Sequence, residues 1–260
     1  MRNLELNGHA PDPAEMHGLA TTNYGHFTSM QVRDGKVRGL ALHMARLDDG
    51  NEEFFGARMD VTEEHRVREL IRHALRGEPD ASVRVSMVPG PDRPGVLVAV
   101  GDPAPDLAGP ALAVQTSRYE RDWPEHKHLA TMGLMVERRR AQRAGYDDAL
   151  FVGPDHRVRE GSTWNVAFWD GEQLVWPQAP MLKGVTMVLL QIAMSMNGLP
   201  WTLRPVDAGE LTSFAAAAAV NSRCPAQPIA SIDGAVLKGE PTLLTDVLTL
   251  AWTTVPWDEI

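Results

Sequence analysis

The sequence predicts a mixed α/β (α+β) protein of two domains, and three observations predict it. Strand-like and helix-like segments alternate along the chain. Its 260 residues hold ample apolar material for two cores. One Pro/Gly-rich interval separates two such mixed units. That interval, Gly101-Asp102-Pro103-Ala104-Pro105-Asp106-Leu107-Ala108-Gly109-Pro110, cannot hold regular structure. The expected domains are therefore 1–103 and 111–260, with 104–110 as the linker and a cleft between the two as the place for a site.

Asn3 to Asn7 alternates around Leu4 and Leu6 and stops at Gly8, as a short opening strand would. A second strand, Phe27 to Arg33, leads through the hairpin turn Asp34-Gly35-Lys36 to a third over Val37 to Leu40. Leu42 to Phe55 reads as a helix whose apolar face carries Leu42, Ala45, Leu47, Phe54 and Phe55. Asp60-Val61-Thr62-Glu63-Glu64 opens another helix with acidic residues in its first turn; it runs to Arg76 and stops at Gly77. Ser82 to Val88 and Gly95 to Val100 are strands around a Pro/Gly turn. Beyond the linker, a strand at 111–117 precedes a helix at about 128–144, which Gly145 ends. Leu129, Met132, Met135, Val136 and Ala144 share one side of it. Asp148 to Val152 is a strand, Gly153-Pro154-Asp155-His156 a turn, and 157–176 a pair of strands joined at Asp170-Gly171. A strongly apolar helix, Thr186 to Met196, closes at Asn197-Gly198. The run Ala215 to Ala219 is expected to be buried, its residues small for packing.

Bulk properties exclude several function classes. A net charge of -9 and an isoelectric point near 5.5 argue against a nucleic-acid partner, which needs a basic footprint. The one concentrated positive run, Arg138-Arg139-Arg140, reads as a solvated helix face. A single cysteine, Cys224, rules out an internal disulfide and fits a reducing compartment. The chain has no 18-residue apolar run, and Met1-Arg2-Asn3-Leu4-Glu5 lacks the apolar core of a signal peptide. The expectation is a soluble cytoplasmic protein without a membrane partner.

Two stretches carry the chemistry. Glu125-His126-Lys127-His128 places a lysine at the mouth of the predicted helix, and Arg159-Glu160-Gly161-Ser162-Thr163-Trp164-Asn165 places a carboxylate in a strand-like segment. A lysine becomes a covalent catalyst only when its amine is held neutral, which burial and helix-end potential both favour. A carboxylate is the natural group to hold a proton on a cofactor ring nitrogen. Together these roles describe a pyridoxal 5'-phosphate site. The plainer alternatives are an exposed Lys127 and a Glu160 salt bridge to Arg159 or Arg157. His126 and His128 lack a third metal ligand at recognisable spacing. Gly184-Val185-Thr186, before the apolar helix, makes a phosphate cradle from backbone N–H groups and the Thr186 hydroxyl, or an ordinary cap. Asn221-Ser222-Arg223-Cys224-Pro225 can form a second anion-binding turn, and Arg46 can reach the same phosphate or lie on its helix surface. For a substrate carboxylate the candidate receptors are Arg84, between Val83 and Val85, and Arg223.

In this order the residues resemble the fold-type IV pyridoxal phosphate enzymes, which include branched-chain aminotransferases, D-amino acid aminotransferases and 4-amino-4-deoxychorismate lyases. The resemblance spans nearly the whole chain. It begins with Leu6-Asn7-Gly8, Tyr24-Gly25-His26-Phe27-Thr28, Asp34-Gly35-Lys36 and His43-x-x-Arg46-Leu47. It continues through Lys127, Gly145-Tyr146-Asp147-Asp148-Ala149-Leu150, Glu160-Gly161-Ser162-Thr163-Trp164-Asn165 and Leu182-Lys183-Gly184-Val185-Thr186. It implies a smaller N-terminal α/β domain and a C-terminal, cofactor-binding domain with a mixed sheet or pseudo-barrel and helices. It implies that Lys127 forms the Schiff base and shuttles the substrate's alpha proton, and that Glu160 binds the pyridine nitrogen. Arg46, Val185 (through its backbone), Thr186 and Ser222 would hold the phosphate, and Tyr24, Arg84 and Arg223 would meet the substrate. It also implies a homodimer, with Tyr24 and Trp123 as aromatic loop residues near the site.

Three places depart from the family pattern. Met187 stands where the aminotransferases usually carry an arginine, and Thr21-Thr22-Asn23-Tyr24 lacks the usual Asp-Arg pair. Ser222-Arg223-Cys224-Pro225 replaces the small residues that branched-chain enzymes prefer. The Glu-Gly-Ser-Thr-x-Asn element is more similar to the aminotransferases, whereas Gly25 to Val37 and His126-Lys127-His128-Leu129 are more similar to the lyases. The expected activity is transamination between an amino acid and a 2-oxo acid. Aminodeoxychorismate cleavage to pyruvate and 4-aminobenzoate is the alternative, and a catalytically altered or non-catalytic relative is the third reading.

Overall fold

Asp34 and Gly35, both at positive φ, form the tight turn that the sequence announces between β2 (His26–Arg33) and β3 (Lys36–Val37). The computed structural model describes residues 2–105 and 108–260; Asp106 and Leu107, within the expected linker, lie outside the described residues. Two compact units emerge. One gathers Met1–Ala104, His126–Ala130 and Pro256–Ile260, the other Pro105–Glu125 and Thr131–Val255.

In the first unit, β1 (Asn3–Leu6), β4 (Ala81–Val88), β5 (Gly95–Gly101) and the terminal β15 (Asp258–Glu259) join β2 and β3. The antiparallel order is β1-β5-β4-β2-β3-β15. Alternation decides the core: Met30, Val32, Val83, Val85, Met87, Val96, Val98 and Val100 are buried and cluster with Leu47, Val67 and Ile71 of the helices α2 (Leu40–Phe55) and α3 (Val61–Leu75). Helix α3 starts as expected, with the Asp60 carboxylate accepting from the Glu63 N–H at 2.7 Å and acidic residues in its first turn. A short helix, α1 (Pro13–Thr21), has a capping box from Asp12 and Glu15.

Two expectations change here. Val37 is followed by a helix start at Leu40, not by a strand to Leu40. The buried stripe of α2 is Leu40, His43, Met44, Leu47, Gly50 and Asn51, while Ala45 is exposed. The face is set by what the sheet offers: polar His43 and Asn51 find buried partners on β2, so they turn inward.

The second unit opens with β6 (Leu112–Arg118), α4 (Met132–Arg143), β7 (Asp148–Val152), β8 (Val158–Gly161), β9 (Asn165–Trp169) and β10 (Leu174–Pro177). Helix α5 (Val185–Met196), β11 (Trp201–Arg204), β12 (Ala216–Val220), β13 (Gln227–Ile232), β14 (Ala235–Val236) and α6 (Pro241–Thr253) follow. A curled mixed sheet runs β11-β10-β9-β12-β13-β6-β7-β8, with β14 beside β13. Pairs β10/β11, β13/β6 and β6/β7 are parallel. Ala216 to Ala219 are buried in β12, as expected from their size.

The predicted helix at 128–144 is corrected to Met132–Arg143, so Lys127 does not stand at a helix mouth. Residues 126–130 instead run extended along β2: Phe27 N–H donates to Lys127 O at 2.8 Å, Leu129 N–H to Gly25 O at 2.9 Å, and His26 bridges His128. Those backbone groups are already committed and cannot serve a helical turn. The inward residues of α4 are Leu134 and Ala141, packed on Ala149 and Phe151, whereas Met132, Met135 and Val136 are exposed. The stretch 157–176 holds three strands rather than two, because the chain also bends at Ser162-Thr163-Trp164. There Gly161 N–H donates to Trp164 O at 2.8 Å, and the Trp164 indole N–H is anchored on Asp148 at 3.1 Å.

Gly50 places a close packing constraint beside β2. A Cβ there would enter the ring of buried His26. Gly50→Ala is expected to lower stability by about 1–3 kcal/mol through overpacking. Urea unfolding checks this, and an unchanged midpoint would contradict it.

Candidate active site

The first unit brings together Lys127, Phe27, His43, Arg46, Tyr24 and Arg84. The Lys127 ammonium lies 4.8 Å from the Phe27 ring centroid, and the Arg84 guanidinium carbon lies 3.6 Å from the same centroid. Val83 and Val85 point into the core, so strand alternation puts Arg84 on the other face, where its Nε donates to Ser86 Oγ at 3.3 Å. A groove of about 790 Å³ on that face is lined by Tyr24, Arg84, Ser86, Leu97 and Leu129 among others. Tyr24 is half exposed; its hydroxyl donates to Phe54 O at 2.6 Å and its ring meets Phe54 and Phe55 edge-on.

Two histidines sit beneath these groups. His43 Nδ1 is 2.6 Å from Thr28 Oγ1, both buried. Burial first, then the charges of Arg46 and Lys127, push His43 down to about 3. His26 Nε2 is 3.0 Å from Asn51 Oδ1, and burial, aided by His126, lowers it to about 4 against the opposing hydrogen bond. Both rings are neutral at pH 7, under a field made positive by Lys127 and Arg46. Neither histidine, nor Asn51, was a candidate site residue from the sequence; His26 and His43 appeared only inside the motifs Tyr24-Gly25-His26-Phe27-Thr28 and His43-x-x-Arg46.

In the second unit Glu160 lies on β8 with its side chain nearly buried. Neither Arg159 nor Arg157 serves as its ion-pair partner: Arg159 binds Glu120 at 2.6 Å and Asp155 at 2.8 Å, and Arg157 is 3.9 Å from Asp155. Arg121, which the sequence reading missed, places its Nε 3.4 Å from Glu160 Oε1, and Leu182 N–H approaches the same oxygen at 3.4 Å. Two residues on, Ser162 Oγ is buried without a hydrogen-bond partner. Asn165 grips the loop before α5, accepting from Gly184 N–H at 3.0 Å and donating to Leu182 O at 2.7 Å. Helix α5 starts at Val185 with no side-chain cap, so its first-turn N–H groups around buried Val185 and Thr186 are suited to an anion. Met187 is buried in the same turn.

The turn after β12 is shaped by Asn221, whose side-chain oxygen accepts from the N–H groups of Arg223 and Cys224 at 2.9 and 3.0 Å. Ser222 is half-buried and Arg223 exposed. Arg223 lines a cavity of about 760 Å³ together with Arg138, Asp148, Thr163 and Trp164.

The family description "amino-transferase class IV" matches residues 25–232. The chain belongs to the class IV aminotransferases. Members of this class are enzymes that work with pyridoxal 5'-phosphate. The fold agrees. A hypothetical aminotransferase from Mycobacterium tuberculosis, solved with alpha-ketoglutarate and PMP bound, is similar at 20% identity, with 96% of this chain and 98% of that one covered and a TM-score of 0.80. The branched-chain amino acid aminotransferase of Escherichia coli is similar at 16% identity, 97% and 93% coverage and a TM-score of 0.80. A putative 4-amino-4-deoxychorismate lyase from Legionella pneumophila follows at 15% identity, 88% and 90% coverage and a TM-score of 0.76. No curated protein matches the chain. The residues of this class IV family member fit the cofactor: the uncapped start of α5 suits a phosphate, and the orphaned Ser162 hydroxyl beside buried Glu160 marks a polar place that protein groups alone do not satisfy.

The buried histidines predict an acid response. Both are held below the ordinary 6.5 of a histidine, at about 3 and about 4, so below pH 6.5 the unfolded chain binds protons that the folded one refuses. Their contribution to stability is complete above pH 6.5 and is lost as pH falls through 4 towards 3. Each contributes at most about 1.4 kcal/mol per pH unit to the slope. Urea unfolding between pH 7 and 4 measures it, with His43→Asn flattening the profile; equal slopes for variant and parent would contradict the assignment.

Proposed function

We propose that the protein transfers an amino group between an amino acid and a 2-oxo acid on pyridoxal 5'-phosphate, carried covalently by Lys127. The observation that carries this reading is the setting of Lys127: backbone bonds at Lys127 O and Leu129 N–H to Phe27 and Gly25, the Phe27 ring 4.8 Å from its Nζ, and the buried His43 imidazole within reach of its charge. Lys127 is half-buried, and the neutral form of its amine is the nucleophile that this role requires. When bound, the cofactor supplies an electron sink for the carbanion at the substrate's alpha carbon. Lys127 would take the proton from the substrate's alpha carbon and give it back to complete the transfer of the amino group.

Glu160 is the partner of the ring nitrogen in this account. The Val185 backbone, the Thr186 hydroxyl, Ser222 and Arg46 would hold the phosphate, with the uncapped α5 start offering its N–H groups. Arg84 and Arg223 are the candidates for the substrate carboxylate, a bidentate task suited to guanidinium. Tyr24 flanks Arg84 in the same groove. The exposed Tyr24 and Trp123 suit closure of a partner subunit's site in a homodimer. The single half-buried cysteine suits a cytoplasmic protein.

The lyase reading uses the same residues up to the carbanion and then expels the leaving group. It is favoured by Gly25-His26-Phe27-Thr28 and His126-Lys127-His128-Leu129. Transamination is favoured by Glu160 to Asn165, whose Asn165 fastens the loop to α5.

An amino donor given alone should release one equivalent of 2-oxo acid per bound cofactor, the protein keeping the amino group until an acceptor is added. Failure with branched-chain, D- and aromatic donors, together with pyruvate release from 4-amino-4-deoxychorismate without an acceptor, decides for the lyase. Arg223→Ala should raise the KM for an acidic donor by about an order of magnitude while cofactor affinity is retained. An unchanged KM removes Arg223 from the substrate site.

A further inference from the structure

Glu120-Arg121 and Arg159-Glu160 carry their charges in opposite order and pair crosswise. Arg159 Nε meets Glu120 at 2.6 Å, and Arg121 Nε meets Glu160 at 3.4 Å. The second pair is the buried one, with side chains 5% and 8% exposed. A carboxylate this deep is expensive without a countercharge, and the neighbouring guanidinium favours its charged form. The 3.4 Å separation exceeds a charge-assisted hydrogen bond of about 2.7–2.9 Å, so the contact is mainly electrostatic. Arg121 is itself fixed, since its Nε and Nη2 donate to Pro124 O at 3.2 and 2.6 Å. Burial lowers the Arg121 guanidinium from its ordinary range, and the charges of Glu160 and Tyr119 oppose that shift. It remains a cation in a place fixed by its own hydrogen bonds.

We infer that Arg121 is a positioning residue: clamped on Pro124, it holds the Glu160 carboxylate charged and oriented, so that the shared proton stays on the cofactor's ring nitrogen. The inference rests on the reading of Glu160 as the partner of that nitrogen. It differs from a packing role in one respect, because only a ligand with a ring nitrogen should register the loss of Arg121.

The test titrates apoprotein with pyridoxal 5'-phosphate and with the analogue in which CH replaces the ring nitrogen, and takes the ratio of the two dissociation constants. Arg121→Gln keeps a donor for Pro124 O and removes the charge. It should lose at least tenfold of the parent's preference for pyridoxal 5'-phosphate, with affinity for the analogue altered less than threefold. Equal weakening of both ligands, or of neither, overturns the inference. Glu160→Gln serves as the reference. If it keeps the preference, the reading of Glu160 itself fails; if it loses the preference and Arg121→Gln does not, only the role of Arg121 fails. Should Arg121→Gln not fold, the double variant Glu160→Gln with Arg121→Met removes both charges of this pair together. It should show the same preference as Glu160→Gln alone, and a further fall would overturn the inference.

Discussion

The backbone pairing of Lys127 and Leu129 with Phe27 and Gly25 is the constraint on which the placement of Lys127 depends. Phe27 N–H reaches Lys127 O, and Leu129 N–H reaches Gly25 O, so the main chain is fixed immediately at and beyond Lys127. A long, flexible side chain is thereby reduced to a short tether over the Phe27 ring. Phe27 is itself placed by the β2–β4 register, where it faces Ser86 two positions from Arg84. The core made by Met30, Val32, Val83 and Val85 holds that register, since a one-residue slip would turn the whole apolar set outward. Packing and chemistry in this unit are therefore one problem: the face opposite the core is the face that presents Phe27, Arg84 and Tyr24's groove.

Electrostatics divides along the same logic. The first unit buries neutral imidazoles beneath cations, which keeps positive potential available to an amine or an anion. The second buries a charged pair, Arg121 with Glu160, and leaves the more exposed pairing of Arg159 to Glu120 and Asp155. Asn165 plays the connecting part, fixing Leu182 and Gly184 so that α5 begins without a side-chain cap.

Much of this was legible in the sequence where a local signal has one structural outcome. Asp34-Gly35 specifies its turn, Asp60 with Glu63 and Glu64 specifies the start of α3, and the short apolar runs bounded by turn residues specify β2 and β4. Position failed where tertiary pairing overrides pattern. Residues 128–131 have helix-compatible composition, yet His128 and Leu129 are engaged by His26 and Gly25, and the helix starts only after Thr131. The inward turn of His43 and Asn51 was equally hidden, because polar residues enter a core only when a specific partner awaits them. Arg121 is the instructive omission. Arg159, adjacent to Glu160, is the obvious partner by sequence, but neighbouring residues on a strand point to opposite faces. The countercharge therefore had to come from another segment.

If Lys127 carries the cofactor, as proposed, covalent trapping will find it there. The chain's lysines are Lys36, Lys127, Lys183 and Lys238, so a mapped adduct is unambiguous. Protein loaded with pyridoxal 5'-phosphate would be reduced with borohydride, digested and sequenced by mass spectrometry. The account predicts one stable adduct, on Lys127, absent from Lys127→Ala. An adduct on Lys183 or elsewhere with Lys127 unmodified, or no adduct in folded protein at saturating cofactor, would contradict it.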